Sequence, residues 1–124
     1  MGSKPCNVEA NHDKAMALAC RADLILFKKV SNAESRAQSL YRRAFKLEKS
    51  VAESFLRRRR YEPTRSILFR SAASLALLVG EKDEAVKLIA AGLDGNPPAE
   101  IAAELRELLQ PPLSKASPAK AGKR

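Results

Sequence analysis

Residues 66–99 read SILFRSAASLALLVGEKDEAVKLIAAGLDGNPPA, and the fold is decided there. From Ile67 to Val79 the stretch is apolar nearly all the way round a helix. A helix of that kind is covered on several sides, so it is expected at the centre of the fold. Gly80 ends it, because glycine accepts the left-handed conformation that closes many helices. Asp83 and Glu84 then open another helix, over Lys82–Leu93, at the end where the helix dipole favours negative charge. Ala85, Leu88, Ile89, Gly92 and Leu93 form its buried face, and Gly95-Asn96-Pro97-Pro98 breaks it.

Outward from this hairpin the pattern stays helical. Asn96 as cap and Pro97 at the first position start a last helix to about Gln110, with Ile101, Leu105, Leu108 and Leu109 as its stripe. Upstream, Ala17, Cys20, Leu24 and Phe27 recur at helical spacing within a first helix over 11–30, which Asn11 or Asp13 can cap. Ser31-Asn32-Ala33-Glu34 is a capping-box pattern. It opens a long second helix with the stripe Ala37, Leu40, Tyr41, Ala44, Phe45, Leu47, Val51 and Phe55. That helix runs into Arg57-Arg58-Arg59-Arg60 and stops at Glu62-Pro63, since proline disfavours helix at the residue before it. The third helix begins near Thr64.

The class expected is all-α, with five helices in one domain over 11–110. Residues 1–10 are expected as a flexible arm and 111–124 as a disordered basic tail, low in apolar residues. The apolar mass is Ala and Leu, both good helix formers. Aromatics make up 5% of the 124 residues and there is no Trp. The net charge is +9. Residues 1–60 carry 14 Lys and Arg against 6 Asp and Glu, residues 61–110 carry 5 against 8, and the tail carries 4 against none. A basic first half and a mildly acidic second half suit either a polyanion or weak head-to-tail self-association.

The stretch 66–99 resembles the tetratricopeptide repeat (TPR) in its length of about 34 residues and in its alternation of small and large positions. Phe69 stands at the large aromatic position of the first helix. Ala72, Ala73 and Ala76 lie at or near the Leu, Gly and Tyr positions. Gly80 matches the turn, Asp83-Glu84-Ala85 the acidic pair and its small Ala, and Pro97 the terminal Pro. Residues 14–48 resemble the pattern more weakly, through Leu24, Glu34, Ala37, Tyr41, Ala44 and Phe45. A similar divergent hairpin occurs in microtubule-interacting-and-trafficking domains. The resemblance implies a right-handed stack of antiparallel hairpins, capped by the fifth helix, whose first helices line a partner-binding groove. Arg70, Ser74 and Leu77 would project into it. Arg70 and Ser74 are spaced like two residues of the family's carboxylate clamp. Ala22 and Leu26 stand where the first hairpin would complete that clamp, so chaperone-tail binding is not expected.

The residues offer little for catalysis. His12 is the single histidine and is expected at the surface, without a second group to work with. The five glycines are scattered, so there is no phosphate loop. Cys20 falls on the apolar stripe as an inert thiol, and Cys6 and Cys20 lie in no metal or redox motif. No cofactor is expected. No apolar run approaches the roughly 20 residues of a membrane span. Met1-Gly2 opens like a myristoylation site, but Cys6 stands where Ser or Thr is wanted. The expected role is an adaptor in the cytoplasm that binds a protein through the groove. The alternative is a nucleic-acid-binding accessory protein that uses Arg42, Arg43, Arg57, Arg58, Arg59 and Arg60, with Phe55 and Tyr61 to stack on bases.

Overall fold

The structure is a computed structural model that describes the backbone of residues 4–110 and the side chains of residues 8–110. Its five helices are α1 (Lys4–Lys28), α2 (Ala33–Glu53), α3 (Thr64–Leu78), α4 (Lys82–Asp94) and α5 (Ala99–Leu108), with no strand among the described residues. The protein is all-α. Consecutive helices pack on one another, and α3 also meets α5, so α3 touches three neighbours while α1 touches α2 alone. The central position expected for residues 67–79 is therefore found. Leu68, Phe69, Ala72, Ala73, Leu75 and Ala76 are buried on it. Its alanines let α2, α4 and α5 approach closely while Phe69 fills the space between them.

The turn after α3 is built as the glycine suggests. Gly80 has φ +80°, and Glu81 N donates to Ala76 O at 2.8 Å, satisfying a carbonyl that the helix end leaves open. Gly92 on α4 is a spacing device. A Cβ there would lie 3.0 Å from Leu105 Cδ1 and 3.1 Å from Phe69 Cβ, so glycine sets the approach of α5 to the hairpin.

Several expectations are corrected. The arm expected over 1–10 is helical from Lys4 onward, because Pro5 is tolerated in a first turn and nothing after it breaks the helix. Asn11 and Asp13 are therefore interior, not caps. The stripe expected for α1 is the wrong one: Ala17, Cys20, Leu24 and Phe27 are all exposed, and Ala15, Leu18 and Ala22 are buried instead. The capping box does not form. Asn32 takes a left-handed conformation (φ 56°) at the start of α2 and makes no side-chain cap bond. The second helix ends at Glu53, not in the arginine run, which lies in the turns between α2 and α3. The last helix starts at Ala99, one residue beyond the Pro97-Pro98 pair, and Leu109 stays exposed. The tail expected over 111–124 lies outside the described residues.

Candidate interaction surfaces

Two buried charges organise the interior, and neither was expected. Arg65, at the start of α3, is fully buried. Its Nε donates to Phe55 O at 3.0 Å, its Nη1 to Ala91 O at 2.9 Å and its Nη2 to Leu56 O at 2.9 Å. The guanidinium also lies 5.0 Å from the centre of the Phe69 ring. Carbonyls at the exit of α2 and in the last turn of α4 thus supply the negative potential that this cation needs. Beside it, Glu62 accepts from Ser66 N at 3.1 Å and from Asn96 N at 3.2 Å. Gly95 leaves room for both: a Cβ there would lie 2.5 Å from Arg65 Nη1 and 2.9 Å from Glu62 Oε2. Together they fasten the α2–α3 turn to the α4–α5 turn.

The second charge is Glu48 on α2, also fully buried. His12 Nδ1 on α1 lies 2.8 Å from its Oε2 and 3.0 Å from its Oε1. His12 is half-buried, not a surface residue, and it has the partner that the sequence did not reveal. Burial pushes the Glu48 carboxyl above its ordinary value, and His12 pulls it partly back. Two to three turns along the hairpin, Tyr41 Oη donates to Asp23 Oδ1. Burial of this tyrosine, and then the Asp23 carboxylate, push its hydroxyl up to about 12.

The residues expected in the groove lie along one face of α3. Arg70 and Ser74 are half-buried, and Leu77 is 37% exposed. Half-buried Ile67 and exposed Leu78 extend the same open strip. Arg70 Nη1 is not free: it donates to Glu104 Oε1 of α5 at 2.5 Å.

The alternative basic set does not form one patch. Arg42 donates to Val79 O at 3.2 Å and pairs with Glu81 at 3.5 Å, tying α2 to the α3–α4 turn. Arg58 stacks against Phe55 and Tyr61, at 5.7 and 5.9 Å from the ring centres. Arg59 binds Asp94 through both its backbone oxygen and its carboxylate. Arg43, Arg57, Arg58 and Arg60 are exposed and outside any ion pair among the described residues, and of these Arg58 is held by the two rings. A shallow charged depression of about 430 Å³ between α2 and α4, lined in part by Arg42, Lys46, Lys49, Glu53, Glu81 and Glu84, is crossed by the Arg42–Glu81 and Lys49–Glu84 pairs. No cluster of three or more His, Cys, Asp or Glu among the described residues could hold a metal ion. No described helix is long and apolar enough to cross a membrane.

The chain matches no family model, no curated protein and no solved structure.

Proposed function

We propose that this chain is an adaptor that holds a protein partner in the groove of a right-handed, TPR-like stack of hairpins. One observation carries the reading. On α3, covered elsewhere by α2, α4 and α5, a strip of Ile67, Arg70, Ser74, Leu77 and Leu78 is left partly open. It combines apolar contact area with one cation and one hydroxyl, a composition suited to an extended or helical peptide. Arg70 would bind a partner only by sharing or leaving Glu104, so Leu77 is the cleaner anchor. The exposed thiol of Cys20 is best suited to a reducing cytoplasm.

The nucleic-acid reading keeps one support: Arg43, Arg57 and Arg60 are exposed and unpaired among the described residues, and Tyr61, which follows Arg60, is 56% exposed. A pull-down with the intact chain, at low and at high salt, separates the two readings. Groove binding predicts that Leu77→Asp and Ser74→Arg each release the partner while the helical circular dichroism is unchanged. Binding that ignores both substitutions, falls steeply with salt and is lost when Arg43, Arg57 and Arg60 become Gln would replace the adaptor reading with the nucleic-acid one.

A further inference from the structure

α1 carries apolar residues on two faces. Ala15, Leu18 and Ala22 pack on α2. Ala17, Cys20, Leu24 and Phe27 follow one another at intervals of three, four and three residues. At about 3.6 residues per turn this second stripe lies opposite the first. All four residues are exposed, Leu24 at 48% and Phe27 at 83%. Among the described helices α1 meets only α2, so no other described helix covers its far side.

We propose that this outward stripe pairs with the same stripe of a second copy of this chain, parallel and in register, as a short two-stranded coiled coil. The spacing is that of a heptad seam, and the charges beside it select the orientation. Lys14, Arg21 and Lys28 run along one edge, Glu9, Met16 and Asp23 along the other. In a parallel pair Glu9 faces Lys14 of the second copy, Asp23 faces its Lys28, and Met16 faces its Arg21. In an antiparallel pair with Ala17 level with Cys20 of the second copy, Lys14 would face its Arg21 and Met16 its Asp23. Along the edges the charge–charge contacts are attractive in the first arrangement and repulsive in the second, and the Asp13 pair at the end of the seam is the one repulsive contact of the parallel dimer.

The three basic residues are exposed and join no ion pair among the described residues, so no described residue competes for them. Asp23 uses Oδ1 for Tyr41, and its other oxygen serves Lys28. The α2 side of each copy lies away from the seam, so the association closes at two. It is independent of the α3 strip. Leu24 and Phe27 supply most of its apolar area. Asp13, one step before Ala17 in the same stripe, sets its weak end.

Sedimentation equilibrium of the full chain, from micromolar to several hundred micromolar, tests this. A monomer–dimer equilibrium without larger species is expected. Leu24→Asp with Phe27→Asp should weaken it at least about tenfold with the helical signal retained. Lys14→Glu should weaken it by about tenfold, and adding Glu9→Lys should restore it. With Cys6→Ser in place, diamide should join two copies through Cys20, two thiols giving up two protons and two electrons to the reagent. Asp13→Leu should tighten the dimer, and Leu77→Asp should leave it unchanged. A monomer at every concentration would overturn the self-pairing and leave the stripe to a helix of another protein. A dimer indifferent to Leu24→Asp with Phe27→Asp, or a charge swap that fails to restore association, would overturn the face or the orientation.

Discussion

Replacing Arg65 with Met tests how the two turns at one end of the molecule are held. Met keeps an alkyl stem of similar length against Phe69 and removes only the guanidinium. Two effects oppose one another. Taking a charge out of the interior is favourable, which is why buried ion pairs can often be exchanged for apolar residues at no loss. Arg65, however, has no carboxylate partner that leaves with it. Its bonds go to the carbonyls of Phe55, Leu56 and Ala91, and these stay behind; Phe55 O keeps the bond from Arg58 N at 2.9 Å, so Leu56 O and Ala91 O lose their partner. Each buried acceptor left unpaired costs about 1–3 kcal/mol. Water reaching Leu56 O in the α2–α3 turn reduces the total, so roughly 2–4 kcal/mol is expected. Arg65→Lys should fall between, since one ammonium cannot span three diverging acceptors. Arg70→Met is the control, because its partly exposed pair with Glu104 is worth at most about 1 kcal/mol. Urea unfolding at neutral pH, followed by circular dichroism, gives the differences if the transition slope is unchanged. Should Arg65→Met cost no more than Arg70→Met, the carbonyl cradle does not stabilise the fold.

Other expectations follow from the same packing. Gly92→Ala should destabilise the chain by about 1–3 kcal/mol in urea, because its Cβ would press on Phe69 and Leu105, both buried against the α5 contact. The Glu48 carboxyl sits above its ordinary value when folded, so it binds its proton more tightly in the native state. The stability of the chain relative to Glu48→Gln should therefore decline as pH rises from 4.5 through the folded value, and a difference flat across pH 4–8 would contradict this. Tyr41, pushed up to about 12, should stay protonated beyond pH 10 in an alkaline absorbance titration. Its contribution to stability is lost as pH climbs from 10 towards 12.

The central hairpin was legible because one signal dominates there. Residues 67–79 are apolar on so many sides that any rotation of the helix buries most of them, although Leu77 and Leu78 stay exposed, and Gly80 marks the end. α2 was legible for its stripe but not its end: Phe55 continues the helical spacing and is buried, yet the chain has left the helix after Glu53, where the Phe55 and Leu56 carbonyls accept from Arg65. α1 was ambiguous because it carries two stripes at equal spacing. Favouring bulk chose Leu24 and Phe27, whereas close approach to α2 is served by Ala15 and Ala22. Glu48 and Arg65 were invisible for another reason. Each looks like any charged residue in a basic helical sequence, and only the tertiary partners, 36 residues away for His12 and 26 for Ala91, show that it is inside. Arg70, Ser74 and Leu77 share one face of α3, a face that only the family resemblance singles out in the sequence. Within the arginine run, Arg58 meets the Phe55 and Tyr61 rings and Arg59 meets Asp94, contacts that adjacency in sequence does not reveal.

The dependence of α1 on a single neighbour makes the molecule uneven in how it opens. Amide hydrogens on α3 can exchange only when contacts to three helices are lost together. Those on α1 need only the α1–α2 seam to part, releasing Ala15, Leu18, Ala22 and the His12–Glu48 contact. Exchange should therefore proceed from the N-terminal helix inward, with α1 forming a separate opening unit of lower free energy than the α3–α4–α5 group.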